Sequence, residues 1–288
     1  MIDPGTRRTL DELETLYDVE PRVRDVLVEG RSDVAVLRWY TSEHSLDCEI
    51  YSVDDRVEVP AETVRPLGVD INAKGRVMAV AESLRDTVSI PSLTCIVDAD
   101  FDYLLGLLID NPLLLYTDFP SLESYCLNGD TINKFLRLVV HADQTVDGSD
   151  VIERIQSALT KLFLIRVAIK ECAASSRLIA RFERCMSTNA SGGVQVNVDE
   201  MLRRSISSRA ERDAAAERYS TLRAGCTQES LKTVRGHDIA RLLILVLNPP
   251  AKLSDADTLE RSLLGCLETA VLDAQPMFVE LRRRLAAA

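Results

Sequence analysis

Two stretches of the sequence end apolar runs in carboxylates. Val26-Leu-Val-Glu29-Gly30-Arg-Ser-Asp33 ends a β-branched run in a glutamate followed by glycine. Ile96-Val-Asp98-Ala-Asp100-Phe-Asp102 ends a second apolar run in three alternating aspartates. If the second strand continues, side chains at i and i+2 share one face. Carboxylates that close repel one another unless a cation sits between them. Mg²⁺ suits such a place, because it takes one or two carboxylates and completes its shell with water and phosphate oxygens. The corresponding chemistry is phosphodiester cleavage, which needs a polarised phosphoryl oxygen, an activated water and a stabilised leaving oxygen. The bland readings are a solvated strand-end glutamate and an Asp-rich turn. A lone Asp-x-Asp says little; joined to the upstream Glu-Gly strand end it says more.

Elements of regular length must carry these acids. Residues 10–20 read as a short acidic helix and residues 25–29 as a buried strand. Ser32 or Asp33 is placed to cap a helix running through residues 34–40. Residues 48–53 form a second strand, 54–72 a loop with Pro60, Pro66 and Gly68, and 75–87 a helix. Residues 93–97 and 113–117 are further strands, and a helix opens near Ser121. Buried strands alternating with helices predict an α/β fold with a doubly wound parallel sheet, whose ligands sit beyond the carboxyl ends of the strands. Glu29, the Asp98–Asp100 pair and the segment leading to Glu123 all fall at such ends. After residue 129 the periods at 130–140, 150–183, 199–223, 237–247 and 255–287 are helical, with a polar, Gly-containing loop over 186–198. The expected division is therefore residues 20–128 and an all-helical part over 129–288.

The acidic residues are concentrated in the first part. The chain carries −11 overall, but residues 1–128 hold 25 acidic and 11 basic side chains, net −14, leaving +3 for the rest. Such a surface binds nucleic acid poorly in bulk, unless some of the acids hold divalent cations that bridge to phosphate. The 288 residues, 46% apolar and 27% charged, are ordinary for a folded protein and exclude wholesale disorder. No apolar run approaches the ~18 residues of a membrane span, and the first residues lack a hydrophobic signal core. Seven scattered cysteines without a C-x-x-C pair argue against a disulfide framework or zinc knuckle. The expectation is a cytoplasmic protein. No zinc-protease, Walker A, dinucleotide-binding or hydrolase-elbow motif occurs.

VLVEGRSD together with IVDADFD resembles the Toprim domain, the metal-binding fold of topoisomerases, primases and OLD-type nucleases. The resemblance covers residues 22–128. Tyr116-Thr-Asp-Phe-Pro-Ser-Leu-Glu123-Ser-Tyr is similar to a stretch of a stand-alone Toprim branch, whose bacterial members are often encoded beside an ABC-type ATPase. That branch includes the nuclease effector of PARIS-type phage-defence systems. Asn72-Ala-Lys74-Gly75-Arg76 and Arg235-Gly-His237-Asp238 are similar to other segments of it.

The resemblance implies a Toprim, Rossmann-like sheet flanked by helices. It implies Glu29 as general acid/base or metal ligand, Asp98 and Asp100 holding Mg²⁺ (Mn²⁺ substituting) with Asp102 assisting, and Glu123 as a more distant or second-metal carboxylate. Lys74 would stabilise charge developing at the phosphate. His237, at a helix start with Asp238 able to cap it, reads first as a structural histidine. The implied activity is a metal-dependent endonuclease on tRNA or DNA, the toxic effector of an antiviral, abortive-infection system. The implied partners are a controlling ABC-type ATPase and a second copy of the chain. The rival reading is a non-catalytic module whose acidic half docks on an ATPase. Primer synthesis and strand passage fit less well, since the chain lacks room for a primase zinc domain and a credible active-site tyrosine. The Arg-rich stretch from Arg203 to Arg223 is interleaved with acids, as in a solvated helix with i,i+4 pairs; phosphate contact is the alternative.

Overall fold

The structure, a computed structural model, describes residues 7–226 and 230–286. The chain divides into two units: Met1–Asp118 with Thr269–Ala288, and Phe119–Glu268.

In the first unit, α1 (Leu10–Val19) opens with a capping box in which Thr9 and Glu12 satisfy each other's backbone N–H groups. Strand β1 (Asp25–Val28) is buried at every position: three apolar residues follow an Asp25 that is buried with a partner. Helix α2 (Arg31–Glu43) follows, then β2 (Glu49–Ser52). The expected loop over 54–72 contains two single-turn helices, α3 (Val53–Arg56) and α4 (Ala61–Val64), and a 3₁₀ turn, Arg65–Leu67. Ser52 caps the first of these by accepting from the Asp55 N–H. Helix α5 (Ala73–Ser83) is capped by Asn72, whose Oδ1 accepts from the Gly75 N–H at 2.8 Å. Strand β3 (Leu93–Val97), the short α6 (Asp102–Leu105) and β4 (Leu114–Tyr116) complete the sheet.

The four strands are parallel and lie in the order β2-β1-β3-β4. The parallel α/β expectation therefore holds. In this order the chain first moves from β1 to β2 on one side, then crosses to β3 on the other. The topological switch point, where such sheets bind ligands, lies between the carboxyl ends of β1 and β3. The register pairs Val26 with Thr94 and Leu27 with Cys95, which brings the residues just beyond the two strands together. At the start of β1, the buried Asp25 carboxylate accepts from Arg56 Nη2 at 2.6 Å, Arg56 Nε at 3.0 Å and the Tyr17 hydroxyl at 2.9 Å.

The second unit begins with a 3₁₀ turn, Leu122–Cys126, in place of the helix expected from Ser121. Helix α7 (Gly129–Phe135) runs into a π turn, Leu136–Val140. Helix α8 (Gly148–Cys172) ends well before the expected residue 183, and its apolar positions from Val151 to Ile169 form the core of this unit. The expected loop at 186–198 is a hairpin of β5 (Met186–Thr188) and β6 (Val194–Val196). Its turn is closed by the Asn189 side chain, whose Oδ1 accepts from the Gly193 N–H. The Arg-rich segment splits into α9 (Val198–Ser205) and α10 (Arg209–Gly225), because Ser208 caps a new helix after extended Ile206. Helices α11 (Gly236–Leu247) and α12 (Ala256–Leu264) follow. The chain then returns to the first unit with α13 (Thr269–Asp273) and α14 (Pro276–Ala286).

These findings correct two expectations. The second part is not all-helical, since it carries the hairpin. The units divide after Asp118 and take back the last helices, whereas the sequence pattern placed one boundary at 128. On its return α14 buries Met277, Phe278, Leu281 and Leu285, and Arg284, paired with Glu280, donates to the Leu114 carbonyl of β4. Among the described residues, no helix is long and apolar enough to cross a membrane.

Candidate functional site

Glu29 immediately follows β1 and Asp98 immediately follows β3. Their meeting is a consequence of the parallel register. Glu29 Oε1 accepts from the Asp98 backbone N–H at 2.9 Å. Burial pushes the Glu29 carboxyl up to about 7. The Asp98 N–H pulls the other way, Asp100 adds to the rise, Lys74 opposes it, and Asp33 adds to it. Asp33 is not the N-cap of α2. It sits three residues beyond Gly30, which holds that position, and its Oδ2 accepts from the Gly30 N–H at 2.9 Å.

The three aspartates do not continue the strand. Strand β3 stops at Val97, Asp100 has a left-handed backbone (φ 44°), and Asp102 starts α6. Asp tolerates that conformation better than most residues, and such positions concentrate at functional sites. The loop is pinned by the Thr117 hydroxyl, which accepts from the Ala99 N–H at 3.0 Å. The turn aims two of the acids at one cation. Lys74 Nζ lies 3.0 Å from Asp100 Oδ2 and 2.7 Å from Asp102 Oδ2. Burial lowers the Lys74 ammonium's proton affinity, but Asp100 and Asp102 outweigh it, and the net direction is up. The repulsion anticipated between the acids is thus relieved by a lysine. Lys74 is held in place by its neighbour: a Cβ on Gly75 would collide with the Asp70 carbonyl oxygen, so α5 can start this close only with glycine there.

Glu123 belongs to the second unit, where it meets His237 and Glu260. His237 Nδ1 and Glu260 Oε2 are 2.8 Å apart. The hydrogen bond to Glu260 raises the imidazole's proton affinity, burial opposes this, and the Glu123 charge supports it. One donor atom from each of the three residues falls within 4.8 Å of the others. Among the described residues no other group of three His, Cys, Asp or Glu is gathered so closely.

No protein-family model matches the chain, and no curated protein matches it. The function must therefore be argued from the residues.

The structure joins Glu29 to Asp98, and Lys74 to Asp100 and Asp102, at the sheet's switch point. It groups Glu123 and His237 with a residue the sequence did not flag. Glu260 lies on the partly exposed side of α12, whose Leu259 and Leu263 are buried, and nothing in its spacing distinguishes it. The acids of the first unit fit Mg²⁺ in that one or two carboxylates suffice, and Asp98 follows β3 beside Glu29, to which its N–H donates. Asp238 is structural: its carboxylate forms a two-point pair with Arg166 of α8, at 2.7 and 3.1 Å.

Gly236 is where α11 meets the 3₁₀ turn. A Cβ there would lie 2.5 Å from Glu123 Cβ and 2.7 Å from Glu123 Oε2. Gly236→Ala is expected to cost about 1–3 kcal/mol by overpacking and to lower Tm by several degrees in calorimetry. An unchanged Tm would mean the helix start can retreat freely.

Proposed function

We propose that the protein is a Mg²⁺-dependent phosphodiesterase acting on nucleic acid, with its active centre at the carboxyl ends of β1 and β3. The observation that carries this reading is the convergence of Glu29, Asp98, Asp100 and Lys74 at the switch point of a parallel sheet. Asp98, with Asp100 where Lys74 yields it, would hold the cation beside Glu29. Bound there, Mg²⁺ would polarise a phosphoryl oxygen and acidify water. Glu29 Oε1 is fixed by the Asp98 N–H, which leaves Oε2 to accept a proton near neutral pH and return it to the leaving oxygen. Lys74 has three N–H donors; two engage Asp100 and Asp102, and the third is available to a phosphate oxygen. Resemblance to the stand-alone Toprim branch supports tRNA or DNA as substrate. It equally supports a role as antiviral effector, dimeric when active and controlled by an ABC-type ATPase.

One observation favours a second reading. Lys74 already neutralises Asp100 and Asp102, so these acids are stable without a metal, as in a non-catalytic module that docks on an ATPase.

The test is cleavage of plasmid DNA, single-stranded DNA and total tRNA with Mg²⁺ or Mn²⁺, alone and with any ATPase encoded beside the protein. Wild type is expected to cut one of these substrates, EDTA to abolish cutting, and Asp98→Asn and Asp100→Asn to lose it. No cutting in any condition, with the melting temperature still raised by metal, would overturn the enzyme reading in favour of the module.

A further inference from the structure

We propose that Glu123, His237 and Glu260 form a binding site for a first-row divalent transition ion of the Mn²⁺ or Zn²⁺ class, separate in its residues from the acids of the first unit. The inference goes beyond the nuclease reading and does not depend on it.

The three donors come from three elements: the 3₁₀ turn Leu122–Cys126, α11 and α12. Their approach to within 4.8 Å of one another is therefore a tertiary feature. Glu123 supplies the independent sign. It is only 6% exposed, its side chain points at the group, and no described residue donates a hydrogen bond or ion pair to its carboxylate. A carboxylate this little exposed and without a protein donor is costly unless water or a cation reaches it. The nearby start of α11 does not meet this need, because the Gly236 N–H is spent on the Ser121 hydroxyl at 3.2 Å. A cation between the three residues would.

The donor set selects the ion. An imidazole with two carboxylates suits Mn²⁺, Fe²⁺, Co²⁺ or Zn²⁺, whereas Mg²⁺ favours oxygen alone. The 2.8 Å spacing of His237 Nδ1 and Glu260 Oε2 is close to the edge of roughly 3 Å between adjacent donors of a six-coordinate ion and shorter than the roughly 3.4 Å of a tetrahedral one, which favours Mn²⁺ over Zn²⁺. Binding would replace that hydrogen bond with bonds to the ion. The surroundings are already fixed, as metal sites require. The Arg166–Asp238 pair holds the start of α11, and the Ser124 hydroxyl donates to the Val234 carbonyl at 3.0 Å. The His237 side chain is 52% exposed, so a three-residue site here keeps a position open for water or an anionic oxygen.

The experiment titrates Mn²⁺ into the purified full chain and follows free Mn²⁺ by its paramagnetic resonance signal. His237→Gln, Glu260→Gln and Glu29→Gln are run beside wild type, with folding checked by circular dichroism. The expected result is one equivalent that persists in Glu29→Gln and in excess Mg²⁺. Its affinity should fall at least about tenfold in His237→Gln and in Glu260→Gln, with loss of the nitrogen modulation of the bound ion in His237→Gln. His237 is surface-exposed, so that variant keeps its fold and decides the matter even if another does not. If wild type binds no Mn²⁺, or if the His237→Gln and wild-type titrations superimpose, the group is a metal-free charge cluster and the site does not exist.

Discussion

Glu29→Gln is expected to lower cleavage about 10²–10⁴-fold, the range supplied by a positioned acid–base group, while leaving the protein folded. Glutamine keeps an oxygen for the Asp98 N–H but can neither carry charge nor exchange a proton. The same substitution has a second readout that does not require activity. The Glu29 carboxyl is raised from 4.5 to about 7, first by burial. The folded protein therefore binds more protons here than the unfolded chain does between about pH 4.5 and 7. Stability from this group is fully present below 4.5 and is lost as pH rises through about 7. Allowing for partial solvent access, the amount is of order 1–3 kcal/mol. Wild type should thus melt at a lower temperature at pH 8 than at pH 5, and Glu29→Gln should flatten that difference. Millimolar Mg²⁺ should raise the wild-type Tm at pH 8 and raise the variant's less, because the variant lacks the Glu29 charge beside Asp98 and Asp100. A variant with the full wild-type slope would remove Glu29 from the titration; one with wild-type cleavage would remove it from the chemistry.

The sheet was legible because its determinants are local. Short apolar runs, a Gly after Glu29 and the helical period after residue 75 can each be read within a few residues of chain. The parallel register then accounts for the meeting of Glu29 and Asp98. Legibility ends where geometry depends on a single backbone torsion or on a distant partner. Alternation along β3 suggested three aspartates on one face, but the strand ends at Val97 and Asp100 turns left-handed. Lys74, read for its charge toward phosphate, also pairs with Asp100 and Asp102, and nothing in its spacing announces those partners. Glu260 looks like any polar residue of an amphipathic helix until α12 is brought to α11. The Arg-rich stretch, by contrast, carries the i,i+4 pairing read for it, Arg204 with Glu200 and Arg209 with Asp213, and Arg218 adds a pair to Glu171 of α8 that no spacing shows.

The largest stability effect is expected at Arg56, which the sequence places in an unremarked loop. Its guanidinium and Asp25 are 5% and 2% exposed and meet at 2.6 Å, with the Tyr17 hydroxyl on the same carboxylate oxygen. Burial raises the Asp25 carboxyl, Arg56 pulls it down, and the net direction is up. Arg56→Ala leaves that carboxylate buried with one neutral donor, and removing one partner of such a pair costs about 3–5 kcal/mol. Without Arg56 the carboxyl must rise further. Its contribution to stability is then present in acid, below the unfolded value, and lost as pH rises through the folded one. Arg56→Ala should consequently be least damaging near pH 4 and most damaging at pH 7 and above, as measured by urea unfolding across that range. A purely steric role for Arg56 predicts a pH-independent loss. The double change Arg56→Met, Asp25→Leu separates the two further, because it removes the stranded charge. It should recover much of the stability at pH 7, since replacing a buried pair by apolar residues of similar size is often neutral. Failure to recover would place the contribution of Arg56 in its packing over the Tyr51 ring, 4.5 Å away, and not in the ion pair.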